Sequence, residues 1–272
     1  MSTVVAIINQ KGGTGKTTTA INLSAGLAYQ GYRTLVVDLD PQGHTTIGLG
    51  VEPDSFQECM AEVLSVPRKR IAEVIVATYI PGLYLAPSHI RLARAAEQCY
   101  TRVFREMILA QSLEGLEFDF VLIDCPPSLG VLTTNSLFSC SFIIIPCQIS
   151  RYSLDGLADL LTTVETVKNL SPEELFEQDL FRILLTTYDR RNRVTNEYIL
   201  EQLKPYRDKT FATFIMKNEA LNQAQIAQKA IFDYDPRSSG AHDYRQLTTE
   251  FLEICQRKNN LPGKRPSWQS FL

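Results

Sequence analysis

Short runs of consecutive apolar residues recur along this chain at intervals that leave room for a helix between them. They are VVAII at 4–8, RTLVVD at 33–38, LYLA at 83–86, FDFVLID at 118–124, FIIIP at 142–146 and RILLTT at 182–187. Such runs are β-branched and apolar on successive positions, the pattern of strands buried on both faces. Helical periodicity fills the intervals. From Lys16 the segment TTTAINLSAGLAYQ sets Ala20, Leu23, Leu27 and Ala28 on one stripe. Further helices are predicted near 131–140, 153–169, 194–204, 219–229 and 241–257, with 55–77 mainly helical around Pro67 and one long helix over 90–111. Strand and helix in alternation predict an α/β fold, a mostly parallel twisted sheet with helices on both faces. No linker divides it, so residues 1–258 are expected to form one domain. The tail 259–272 contains Pro262, Gly263 and Pro266 and is expected to be irregular.

The candidate chemistry begins where the first strand ends, in NQKGGTGKTTT at 9–19. Gly12, Gly13 and Gly15 allow positive φ and close approach of backbone to a ligand. Lys16 supplies a cation for the β- and γ-phosphates, and Thr17 a hydroxyl suited to Mg²⁺. The helix that follows directs its first N–H groups at a bound anion. The general P-loop pattern G-x-x-x-x-G-K-[ST] is not met, because its first glycine falls at Gln10. A second lysine, Lys11, opens the loop instead.

Acidic residues stand at the carboxyl ends of two other strands, where open α/β sheets bind their ligands. Asp124 follows four hydrophobic residues and precedes Cys-Pro-Pro, the pattern of a carboxylate that holds Mg²⁺ directly or through water. The stiff loop DCPPSLG after it is placed to sense the γ-phosphate. Asp38 and Asp40 fall two apart in VDLDPQGHTT. If the strand persisted they would share a face, and two carboxylates beside a phosphate tail must address a metal or a water.

Composition narrows the reading. A net charge of −3 over 272 residues gives no overall attraction to nucleic acid, so any DNA contact must be a local patch. No run of 18 apolar residues is present, and strand one begins too early to leave room for a signal peptide. The six cysteines include no C-x-x-C pair and have apolar or helical neighbours, which predicts buried thiols in a reducing cytoplasm.

The loop K-G-G-T-G-K-T resembles the deviant Walker A box of the ParA/MinD family of P-loop ATPases. NQKGGTGKTTTAINL, VVDLDPQG, VLIDCPPSLG and YDPRSSGA stand in the order of its short ParA/Soj subgroup. The resemblance implies a single-domain P-loop NTPase that binds ATP and Mg²⁺ and hydrolyses ATP slowly. It assigns Lys11, Gly12, Gly13, Thr14, Gly15, Lys16, Thr17, Thr18 and Asn218 to the nucleotide, and Thr17, Asp38 and Asp124 to the magnesium, Asp38 in its outer shell. Asp40 positions the attacking water; Lys11 and Lys16 complete the catalytic set, Lys11 reaching the partner's nucleotide in an ATP-dependent homodimer. The dimer would bind double-stranded DNA without sequence preference, in the cytoplasm on the nucleoid, until a ParB-like partner on a cargo stimulates hydrolysis. No helix-turn-helix extension precedes the Walker box, which speaks against operator-specific repression.

The chain also departs from the family. Residues 215–220 read Ile-Met-Lys-Asn-Glu-Ala where relatives carry Pro-Arg-Asn-x-Arg, and Ser239 replaces the arginine of DPRSRGA. After the strand at 142–146, Gln148-Ile149-Ser150-Arg151 replaces Gln-x-Glu-Tyr. These changes predict a specialised branch with its own cargo. A DNA surface is expected within 182–217, where eight basic residues outnumber four acidic ones; Arg190, Arg191, Arg193 and Lys217 are its candidates. The alternatives are a MinD-like membrane-cycling ATPase, for which the prolines of the tail break the needed amphipathic helix, and a small-molecule ligase of the dethiobiotin-synthetase type. A carrier of the nitrogenase-reductase type would need paired cysteine ligands at a dimer axis, which Cys125 alone does not supply.

Overall fold

All six apolar runs form strands in the computed structural model, which describes residues 2–149 and 155–259. They are β1 (Thr3–Ile7), β2 (Thr34–Asp38), β4 (Leu83–Ala86), β5 (Phe120–Asp124), β6 (Phe142–Gln148) and β7 (Phe181–Thr186), joined by a two-residue β3 (Val76–Ala77). The sheet order is β3-β4-β2-β5-β1-β6-β7, parallel throughout except for β3 against β4. Side-chain alternation sorts each strand between two cores. Val5 and Ile7 enter one core with Val36, Leu122 and Ile144, while Ala6 and Ile8 enter the other with Val37, Ile123 and Ile143.

The helices divide between the same two faces. α1 (Lys16–Tyr29) leads into α2 (His44–Gly48), α3 (Met60–Ser65), α4 (Arg91–Cys99), α5 (Ile108–Ser112), α6 (Val131–Ser139) and α7 (Asp155–Lys168). Then come α8 (Pro172–Glu177), α9 (Arg193–Gln202), α10 (Glu219–Ile226), α11 (Ile231–Tyr234) and α12 (Ser239–Asn259). α1, α10, α11 and α12 supply the core that contains Val5, and α3 to α9 the core that contains Ala6. α1 and α12 approach so closely that a methyl on Gly26 would overlap the Thr248 hydroxyl. Each large aliphatic side chain so buried contributes about 1.5–3 kcal/mol.

This winding creates the site. From β1 the chain crosses by α1 to β2 on one side, and from β5 it crosses by α6 to β6 on the other. The loops leaving β1 and β5 therefore part at the carboxyl edge and open a crevice between them.

Several helices differ from the periodicity. The stretch 55–77 holds only α3 and two 3-10 turns besides β3, because Pro67 and then Arg68, at φ 63°, turn the chain back. The helix expected over 90–111 stops at Cys99 and resumes at Ile108, with Phe104 at φ 55° between. The short helices α2, α8 and α11 have no counterpart in the apolar periodicity. α8 carries a Ser171–Glu174 capping box and Pro172 in its first turn, signals that are present in the sequence. No helix among the described residues is long and apolar enough to cross a membrane. All six cysteines are buried, as their neighbours predicted. The expected irregular tail, from Asn260 on, and the departures at Ser150 and Arg151 lie outside the described residues.

Candidate nucleotide site

The loop from β1 to α1 is shaped by two glycines in the left-handed region, Gly13 at φ 73° and Gly15 at φ 89°. Gly15 is also the N-cap of α1, so no side chain stands between the first-turn N–H groups and a ligand. Gly12 and Gly13 are exposed, and a Cβ on either would meet no atom within 4 Å; the space over the loop is open to a ligand. Beneath it the loop is braced. Asn9 Nδ2 donates to the Pro146 carbonyl at 2.7 Å, its Oδ1 accepts from Lys11 N at 2.9 Å, and Thr186 Oγ1 donates to the Thr14 carbonyl at 2.8 Å. Thr14 is itself fully buried, and its Oγ1 donates to the Lys11 carbonyl at 3.4 Å, so its side chain serves the loop.

Lys16 is 7 % exposed and its Nζ donates to the Lys11 carbonyl at 3.1 Å. Burial pulls its ammonium below the ordinary value, and the negative charge of Asp124 offsets part of that. A buried cation over an open glycine cradle is the electrostatic partner of a polyphosphate.

The carboxylates occupy the adjoining strand ends. Asp38 and Asp124 are register partners across β2 and β5, and both are fully buried. Asp124 Oδ2 accepts from Thr17 Oγ1 at 2.8 Å and Thr45 Oγ1 at 2.7 Å, whereas its Oδ1 is buried with no hydrogen-bond partner among the described residues. One orphaned carboxylate oxygen beside a threonine hydroxyl is the hard-oxygen donor set that Mg²⁺ takes. Asp38 is engaged differently: Oδ2 accepts from Thr46 N and Oγ1, and Oδ1 from Asp40 N. Its side chain fixes the 38–46 turn. Burial pushes both carboxyls above the ordinary range, and the charge of Asp124 adds to the rise at Asp38.

The strand ends at Asp38, so Asp40 does not repeat its orientation. Asp40 lines a cavity of about 550 Å³ with Gly12, Gly13, Gly15, Lys16, Thr17 and Thr18. Gln42, His44, Pro127, Lys217, Asn218, Asn222 and Gln225 line it as well. The candidate set thus comes together except for Lys11, Thr14, Asp38 and Asp124, which stand outside the cavity wall. Sequence reasoning missed Thr45 and Thr46, which tie α2 to the two aspartates, and Gln225, whose Nε2 donates to Thr18 Oγ1 at 2.6 Å. Only a threonine pair after DPQGH hinted at the first; nothing local signals the second.

The basic residues divide. Arg190, Arg191 and Lys217 line one shallow depression beside the cavity, and Arg193 is exposed at the start of α9. Arg191 makes a two-pronged ion pair with Asp189. Three others in the counted window serve local pairs, Arg182 and Lys209 with Asp179 and Lys204 with Glu201. The positive surface is therefore narrower than the window's count predicted.

The family described as the AAA domain matches residues 2–178. A solved structure of cobyrinic acid a,c-diamide synthase from Mycobacterium smegmatis, with bound ADP and magnesium, superposes with a TM-score of 0.78 at 33 % identity, covering 98 % of both chains. A parallel sheet with a glycine loop, an internal lysine and a buried aspartate at the next strand end defines a P-loop nucleotide-binding protein. The sporulation initiation inhibitor protein Soj of Bacillus subtilis is 42 % identical over 253 residues, 92 % of this chain and 98 % of that one. The chromosome partitioning protein ParA of Myxococcus xanthus is 37 % identical, over 92 % and 88 %. The chain belongs to the ParA/Soj subgroup of the ParA/MinD P-loop ATPases.

Proposed function

We propose that this protein is a partitioning ATPase that positions a large cargo, chromosome or plasmid among the candidates, by a nucleotide-driven cycle. The observation that carries the reading is the open cradle over Gly12 and Gly13 with buried Lys16 beneath it and the orphaned Oδ1 of Asp124 beside Thr17. Mg²⁺, held by Thr17 and Asp124 with Asp38 in its outer shell, would neutralise phosphate charge. Lys16 and the first-turn N–H groups of α1 hold the phosphates, and Thr18 and Asn218 extend the site toward the rest of the nucleotide. Asp40 orients the water that attacks the γ-phosphate. Bound ATP joins two copies through Lys11, and the dimer binds duplex DNA through Arg190, Arg191, Arg193 and Lys217. A ParB-like partner then accelerates hydrolysis and releases the protein from the nucleoid into the cytoplasm.

A second reading, an ATP-dependent ligase of a small carboxylate, draws on the likeness to the M. smegmatis synthase. Co-sedimentation with duplex DNA under ATP, ADP and no nucleotide separates the two, repeated with liposomes for the MinD-like alternative. The partitioning reading expects pelleting with DNA under ATP alone and none with liposomes. Arg190→Glu with Arg193→Glu should weaken that pelleting on any sequence and lower the salt slope by about 0.9 for each phosphate no longer neutralised. ATP-independent indifference to DNA would remove this reading.

A further inference from the structure

His44 lines the cavity together with Lys16, Thr17 and Asp40, and its neighbour Thr45 shares the Asp124 Oδ2 with Thr17. Its neighbours are anchors. Gly43 N donates to the Asp40 carbonyl at 2.9 Å, Thr45 holds Asp124, and Thr46 holds Asp38 while its Oγ1 accepts from Ser88 N at 2.9 Å. Ser88 Oγ in turn donates to the Asp40 carbonyl at 2.6 Å. Gly43, at φ 65°, packs against Ser88, whose carbonyl would lie 3.4 Å from an added Cβ. Gly43, Thr45 and Thr46 are all buried, and His44 between them is exposed. The first turn of α2 is thus locked to both magnesium-side aspartates and to Asp40, and it presents one imidazole to the cavity.

We propose that His44 is a further catalytic residue, its imidazole N–H donating to a γ-phosphoryl oxygen as charge spreads over those oxygens during hydrolysis. Phosphoryl transfer passes through a loose state that positioned donors stabilise more than they stabilise bound ATP. Lys16 is a cationic donor in the same cavity, while Asp40 is the residue proposed to address water; Lys217 and Tyr244 line the cavity as well. Among the described residues the His44 side chain makes no structural bond that its replacement would break, so it is free to serve a ligand. The inference rests on the ATPase reading, and its test reports on both.

The test compares wild type, His44→Ala and His44→Gln in steady-state ATP hydrolysis, in ATP affinity with a fluorescent ATP analogue, and in affinity for ADP with aluminium fluoride. His44→Ala should lower kcat by about 100-fold, the loss seen when one preorganised donor is removed. Its ATP affinity should stay within about three-fold of wild type, while ADP–aluminium fluoride binding weakens in step with kcat. The glutamine amide also carries an N–H and should restore most of the rate. Wild-type turnover in His44→Ala overturns the inference. So does a parallel loss of ATP affinity, or a glutamine variant as slow as the alanine one. A wild-type protein that binds no ATP overturns the ATPase reading, and this inference with it.

Discussion

Lys16 and Asp40 reach the same cavity from different strand ends, and their environments give them different work. Lys16 sits almost wholly buried against a backbone carbonyl, where losing its charge leaves a polyphosphate with no internal counter-ion. Lys16→Ala should weaken ATP binding by at least about 100-fold, measured by equilibrium titration. Asp40 accepts from Gln42 N through Oδ1, and it lines the same cavity as Lys16. Asp40→Ala should keep ATP affinity and lose about 100-fold in hydrolysis, leaving an ATP-bound species on a sizing column. Wild-type turnover would reduce Asp40 to a turn residue. The residues legible from sequence were those whose chemistry depends on close neighbours: the glycines, Lys16, Thr17 and the aspartate ending a hydrophobic run. Thr45, Ser88 and Gln225 were not legible, since their partners lie 79, 48 and 207 positions away and no local pattern encodes such meetings.

Elements were legible in proportion to their burial. The six strands could be read because residues buried on both faces must be apolar at every position. Breaks in helices could not, since Phe104 and Arg68 enter the left-handed region without a glycine to announce it. Ion pairs between elements were equally hidden, and Asp179 illustrates their effect. It accepts from Arg182 at the start of β7 and, at 2.7 Å, from Lys209 in the 3-10 turn 204–209, joining two segments 30 residues apart. Partial burial would raise its carboxyl, but these two partners hold it well below the ordinary range. A depressed folded value makes its contribution complete above the unfolded value near 4, and that contribution drains away as pH falls toward the folded value. With a third of the side chain exposed, Asp179→Asn should cost only about 1 kcal/mol at pH 7. Urea unfolding at pH 7 and below pH 4 should show that gap closing in acid; a gap that widened would assign the effect to packing.

On the scale of the whole molecule, the net charge of −3 would leave the proposed DNA binding to a small surface, and a small surface on one copy is weak. Joining two copies would double it at high effective concentration, which would tie DNA affinity to whatever holds the dimer. In the proposed cycle that task falls to Lys11. Its backbone serves its own loop, taking Asn9 Oδ1 at the N–H and holding Lys16 at the carbonyl. Its half-buried side chain stands outside the cavity that Lys16 lines. One copy would therefore cradle phosphate with the three glycines and Lys16, and a second lysine would add little to that. In a two-fold dimer with the loops face to face, each Lys11 would meet the opposite γ-phosphate, and the interface would be isologous. Dimer stability would follow that phosphate, and hydrolysis would dissolve the assembly. Lys11→Ala should keep ATP affinity within about ten-fold while losing dimerisation, hydrolysis and DNA binding together. Light scattering with ATP, alongside nucleotide titration of the same variant, decides it. A Lys11→Ala protein that still dimerises would leave the lysine an ordinary loop residue and remove the proposed link between ATP and DNA binding.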